Sequence, residues 1–124
     1  MPIVHVVDDN FTVRESIGFV LEDAAYLVRD YASAEDFLRS VEADKPGCVI
    51  ADLHMAPMSG LDLLDRLKHM GVALPTIMMT GDDSVENIVL AMRRGAIDFI
   101  FKPFTSATLL ATVRSALGRR TSCG

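Results

Sequence analysis

The chain has no tryptophan and only two cysteines among its 124 residues. Cys48 lies inside an apolar stretch and Cys123 near the C-terminal end; with no CxxC spacing between them, they give neither a disulfide framework nor a thiolate metal site. A reducing compartment and a packing role for Cys48 are the expectation. No apolar stretch approaches the roughly 20 residues of a membrane span, and no charged-then-apolar leader opens the sequence, so a soluble, cytoplasmic domain without membrane contact is predicted. Basic residues never form a block. The 12 Lys and Arg against 17 Asp and Glu leave a formal charge of −5, and Arg119 with Arg120 is too little to change this. Direct nucleic-acid binding, which needs a basic face for the phosphates, is therefore excluded. The nucleoside-triphosphate loop GxxxxGK[ST] is absent, and without tryptophan there is no ready cradle for a flavin ring.

Short apolar runs alternating with helical patterns are present throughout, the signature of an α/β fold with a parallel sheet covered on both faces. The length fits one domain with one core. Strands are predicted at about Ile3–Val7, Tyr26–Tyr31, Gly47–Ala51, Pro75–Met79 and Ile97–Phe101. Between them Val13, Ile17, Val20, Leu21 and Ala24 recur at helical spacing, as do Ala34, Phe37, Leu38 and Val41, then Leu61, Leu64 and Leu67. Val85, Ile88, Val89 and Met92 predict a fourth buried stripe, and Leu109, Leu110, Val113 and Leu117 a fifth. Ser33, Ser59, Ser84 and Thr105 stand where N-caps belong, and Gly71, Gly95 and Gly118 where helices stop. The domain is expected over residues 1–118, with a polar tail over 119–124.

Three aspartates fall at predicted strand ends: Asp8 and Asp9 after the first, Asp52 after the third. If those strands are parallel neighbours, the three carboxylates meet at the C-terminal edge of the sheet, where open α/β sheets build their sites. Such a cluster repels itself unless a hard divalent cation enters it, and Mg²⁺, which combines carboxylates with waters and phosphate oxygens, suits it. The competing reading is that strand-end aspartates only cap helices. Thr80 and Lys102, at the ends of the fourth and fifth strands, favour the first, because they bring a hydroxyl donor and an ammonium for an anion beside the metal. Carboxylates, metal, hydroxyl and lysine together describe phosphoryl transfer, in which an aspartate can act as nucleophile and become an acyl phosphate.

These residues lie in five ordered blocks: Val4-His5-Val6-Val7-Asp8-Asp9, Asp52-Leu53-His54-Met55, Ser59-Gly60-Leu61-Asp62-Leu63-Leu64, Thr80-Gly81, and Gly95 through Lys102-Pro103-Phe104. On them the chain resembles the response-regulator receiver family, the CheY-like domains of two-component signalling, and its wording is most similar to FixJ-type regulators. The resemblance implies a (βα)5 flavodoxin-like fold with five parallel strands in the order 2-1-3-4-5. It implies a phosphoryl group accepted on Asp52 from a sensor histidine kinase, with Mg²⁺ held by Asp8, Asp9, Asp52 and the backbone carbonyl of His54. Thr80 and Lys102 would engage the transferred group, and Thr80 with Phe99 would form the switch. His54 and Asp82 would tune the phosphate lifetime, the Lys102-Pro103 bond would be cis, and a downstream partner, an effector domain or a phosphorylation-dependent homodimer would read the switch. One departure is the order Met55-Ala56-Pro57, where the family usually has proline directly after the methionine. It moves the restricted φ by one residue and biases Ala56 away from the helical region.

Phe101 shares the side of Phe99 by period two, and Leu90 points away from the fourth stripe, so Leu90, Arg94 and Phe101 are the expected output face. His5 and His69 read as packing and surface residues, and the methionines as core filling. Two other functions compete. An aspartyl-phosphate hydrolase of the haloacid-dehalogenase type needs a second aspartate two residues past the nucleophile, and His54 stands there. A receiver that works as a scaffold or by sequestration without phosphate needs none of Asp8, Asp9, Asp52, Thr80 and Lys102, and all are present.

Overall fold

The computed structural model describes residues 2–42, 45–81 and 85–122, the last four by backbone alone. Ser84, Asp82 and Cys123 lie outside the described residues. The elements alternate strictly: β1 Ile3–Val7, α1 Phe11–Asp23, β2 Leu27–Tyr31, α2 Ala34–Ser40, β3 Gly47–Asp52, α3 Gly60–His69, β4 Thr76–Thr80, α4 Val85–Arg93, β5 Asp98–Phe101 and α5 Ser106–Ser122. The strands form one sheet in the order β2-β1-β3-β4-β5, every pair parallel.

The three inner strands are continuous apolar runs because both their faces are covered. β3 and β4 are buried at every position, and β1 at all but Ile3. The edge strands β2 and β5 mix charged and apolar residues and are largely exposed or half-buried. Alternation along the inner strands splits the core in two. Val4, Val6, Cys48, Ile50, Ile77 and Met79 pack under α1 and α5 with Ile17, Leu21, Leu109 and Val113. Val7, Val49, Ala51 and Met78 face α2, α3 and α4 with Phe37, Leu63, Leu64 and Ala91. Fully buried side chains such as Leu21, Ile50, Leu63 and Ile77 each contribute about 1.5–3 kcal/mol relative to exposure. Burial pushes the Cys48 thiol up to about 12, so it behaves as a small apolar side chain. His5 is a packing residue, as expected. Burial, with Arg29 nearby, pulls it down to about 4, and Nδ1 lies 3.0 Å from the Tyr31 hydroxyl.

Ser33 and Ser59 cap α2 and α3, the latter with a full capping box to Asp62, and the Thr105 hydroxyl accepts from the Thr108 N–H. Gly71 and Gly95 follow α3 and α4 with φ of 73° and 109°. Beyond the α1 C-cap Ala24, Ala25 takes a positive φ of 71° without being a glycine. Two expectations are corrected. α5 runs through Gly118 to Ser122, so this glycine is no stop. On α4 the core contact is Ala91, with Ile88 half-buried, while Val85, Val89 and Met92 of the predicted buried stripe are exposed. Through Ala91, α4 joins the part of the core that holds Leu63, Leu64 and Met78.

Candidate functional site

Register brings the site together. Val7 pairs with Ala51, so Asp8 leaves β1 level with Asp52, the last residue of β3. Asp52 pairs with Met79 and Thr80 with Phe101, so Thr80 and Lys102 come to the same edge one step further on. The carboxylates of Asp8, Asp9 and Asp52 each place an oxygen within 4.8 Å of the others. Asp8, Asp52 and Thr80 are buried, and Asp9 is exposed. Lys102 Nζ donates to Asp52 Oδ2 at 3.0 Å and to Asp8 Oδ2 at 3.2 Å, while its backbone N–H donates to the Thr80 carbonyl at 2.8 Å. The Lys102-Pro103 bond is cis, as the resemblance implies, and so is Ala56-Pro57 in the departing loop.

The capping reading of the aspartates does not hold. Asn10 is the N-cap of α1 and accepts from the Val13 N–H, whereas the Asp8 carboxylate accepts from the Asn10 N–H at 2.8 Å. The His54 N–H likewise donates to Asp52 Oδ1 at 3.0 Å. Each buried carboxylate is thus oriented by the backbone two residues on, leaving other oxygen lone pairs for a ligand. Burial raises the Asp8 carboxyl above its ordinary value, and the Asp52 charge adds to this, against the lowering by the Asn10 hydrogen bond and Lys102. Burial alone would lower the Lys102 ammonium, but the hydrogen bond and charge of Asp52, then Asp8, carry it above its usual value. A self-repelling carboxylate cluster tied by one lysine fits a hard divalent cation, whose oxygen-ligand chemistry these groups match.

Two supporting residues were not anticipated. Gly60, the first residue of α3, packs so closely on the end of β3 that a Cβ would meet the Asp52 carbonyl oxygen at 2.6 Å and Leu53 Cα at 2.9 Å. Arg14 donates to the Asp8 carbonyl at 2.7 Å. The glycine stands inside the Ser59-Gly60-Leu61-Asp62 block, which is a signal; nothing in the sequence marks Arg14. Of the other expected residues, Phe99 is half-buried against the α3–α4 side of the core and stacks on Phe101 with ring centroids 6.2 Å apart. Phe101 and Leu90 are exposed. Arg94 is half-buried and turns to α3, where Nη1 meets Asp65 Oδ2 at 3.2 Å.

A five-stranded parallel sheet with an acidic cluster and a lysine at its C-terminal edge is the architecture of a phosphoacceptor domain. The response regulator receiver domain family matches residues 4–114, and the chain belongs to it. Among curated proteins it is 42% identical to the transcriptional regulatory protein FixJ of Azorhizobium caulinodans over 98% of this chain and 57% of that protein. To FixJ of Rhizobium meliloti it is 38% identical over 91% of this chain and 55% of that protein. It spans about half the length of these relatives. Among solved structures, FixJ-N superposes with a TM-score of 0.89 at 36% identity, covering 95% of this chain and 94% of that one. A CheY-like receiver domain from Methanospirillum hungatei gives a TM-score of 0.92 at 27% identity over 100% of this chain and 99% of that one. The chain is thus a FixJ-type receiver domain of two-component signalling rather than a member of a classical enzyme family. No helix among the described residues is long and apolar enough to cross a membrane.

Proposed function

We propose that this domain works in the cytoplasm, accepts a phosphoryl group on Asp52 from a sensor histidine kinase and passes the change on through its surface. Supporting this most directly is the meeting of Asp8, Asp9 and Asp52 within 4.8 Å, with Lys102 bridging two of them. Asp8, Asp9, Asp52 and the His54 carbonyl would hold Mg²⁺, which would supply charge neutralisation for the incoming phosphate. An Asp52 oxygen attacks phosphorus, the P–N bond to the donor imidazole breaks, and the imidazole leaves to take up a proton. The His54 N–H on Oδ1 holds the attacking carboxylate in orientation, and Lys102 remains as a fixed cation for the transferred oxygens. The Thr80 hydroxyl hydrogen-bonds the phosphoryl group, which couples it to Phe99. Hydrolysis of the acyl phosphate at the same site resets the domain.

The output face lies on α4 and β5, where Val85, Val89, Leu90, Met92 and Phe101 are exposed. Its partner is an effector domain, a downstream protein or a second copy of the chain. Arg94, engaged with Asp65, contributes by anchoring α4 to α3. Incubation with acetyl phosphate and Mg²⁺ followed by intact mass tests the reading. Wild type is expected to gain one phosphoryl group and Asp52→Asn none. An adduct retained in Asp52→Asn but lost in Asp8→Asn would mean a different acceptor.

A further inference from the structure

Arg14 is a basic residue near the N-terminal end of a helix, where the helix dipole disfavours positive charge, and no acidic residue in the first turn of α1 offsets it. Helix stability therefore does not account for it. Its side chain folds back along the β1–α1 turn and is only 13% exposed. Nη1 donates to the Asp8 carbonyl oxygen at 2.7 Å, Nε meets Asp30 Oδ2 at 3.3 Å, and the guanidinium carbon lies 5.6 Å from the centre of the Phe11 ring. The guanidinium is thus held on three sides by groups from α1, β2 and the turn itself. This fixed orientation is what arginine, with its rigid fork of donors, provides and lysine does not.

We propose that Arg14 is a positioning residue for the cation site, an inference that rests on the reading of Asp8, Asp9 and Asp52 as its ligands. The Asp8 carbonyl belongs to the peptide unit joining Asp8 to Asp9, so a charged donor fixed on that oxygen fixes the plane between the two carboxylates. On its other side, the Asp8 N–H donates to the Tyr31 carbonyl at 3.2 Å. With both flanking peptides held, the backbone presents Asp8 toward Asp52 and keeps Asp9 beside it. Without Arg14 the Asp8–Asp9 peptide can rotate, and the ligand pair loses its register against Asp52.

A second reading of the same residue has the opposite sign. If Arg14 were only a positive charge near a cation site, removing it would tighten binding. The test is a Mg²⁺ titration followed by calorimetry and by the amide resonances of Asp9 and Asn10, with wild type, Arg14→Met, Arg14→Lys and Asp52→Asn. Melting in chelator confirms that each variant is folded. Arg14→Met is expected to bind Mg²⁺ about tenfold more weakly, the scale found for groups that orient metal ligands. Arg14→Lys should fall between, since it keeps the charge but not the fork. Arg14→Met binding as tightly as wild type, or more tightly, overturns the proposal. Should Arg14→Met fail to fold, Arg14→Lys decides: an unchanged affinity would leave only a charge role and overturn it equally. If wild type shows no Mg²⁺ binding, or Asp52→Asn binds like wild type, the cation site itself falls and the role of Arg14 with it.

Discussion

Replacing Asp8 by asparagine should stabilise the metal-free domain and abolish its response to Mg²⁺, so that one substitution has opposite effects in chelator and in magnesium. Asp8 is fully inaccessible, and it shares Lys102 with Asp52 while Asp9 stands close by. Burial holds its carboxyl above the ordinary value of 3.8. The folded state therefore binds this proton more tightly than the unfolded chain, and stability falls as pH rises from the ordinary carboxylate range through the raised value. Once ionised, Asp8 is a standing cost to the metal-free fold. Asparagine removes the charge at nearly the same volume, and Lys102 keeps Asp52 at 3.0 Å. The gain should be on the order of 1 kcal/mol, which for a domain of this size is about 4 °C in Tm. Mg²⁺ at a hundred times its Kd should stabilise wild type by about 2.7 kcal/mol, or roughly 10 °C, and Asp8→Asn hardly at all. Circular-dichroism melts at neutral pH, in chelator and in magnesium, read both signs. An Asp8→Asn variant that melts below wild type in chelator would show that the Asp8–Lys102 pair is net stabilising and the cluster is not under strain.

Lys102→Met should tighten Mg²⁺ binding by up to about tenfold, because the ammonium competes with the cation for Asp8 and Asp52, yet it should abolish phosphoryl acceptance; calorimetry and intact mass read the two effects. The raised Lys102 value means its stabilising contribution is complete below the ordinary lysine value of 10.5 and is lost as pH rises through the higher folded value, so alkaline unfolding should begin earlier in wild type relative to its neutral stability than in Lys102→Met. Gly60→Ala drives a methyl into the backbone of Asp52 and Leu53 and should cost about 1–3 kcal/mol in urea unfolding while also weakening Mg²⁺ binding. Ala25→Gly relieves the positive φ after α1 and should add about 0.5–1 kcal/mol; an unchanged or lower midpoint would contradict that reading. Beryllofluoride bound at Asp52 should strengthen association through the α4–β5 surface by about 5- to 150-fold, and Thr80→Ala should cut that coupling without blocking the site.

The fold was legible because the inner strands are buried on both faces, so their apolar runs survive unbroken in the sequence and end on the residues that matter. Asp8, Asp52, Thr80 and Lys102 could be read as a group since each closes a run, and parallel register does the rest. The edge of the sheet was harder. α4 carries enough apolar residues to suggest a buried stripe, but periodicity reports where apolar residues lie, not whether anything covers them; Ala91 packs while Val85, Val89 and Met92 face outward. Gly118 lacks the context that would make it a stop, and α5 continues through it. The contact of Arg14 with the Asp8 carbonyl and the N–H donations of Asn10 and His54 to the carboxylates were invisible for a different reason: they depend on main-chain atoms brought near by the turns, and residue identity does not encode that.

The most direct test of the central claim is to locate the phosphoryl group chemically. Treatment with acetyl phosphate, then reduction with borohydride, converts an aspartyl phosphate to homoserine, which peptide mass spectrometry assigns to one position. The account predicts homoserine at position 52, formed in magnesium and absent in chelator. Homoserine at position 8 or 9, or equal conversion of Asp52 without any divalent cation, would contradict it.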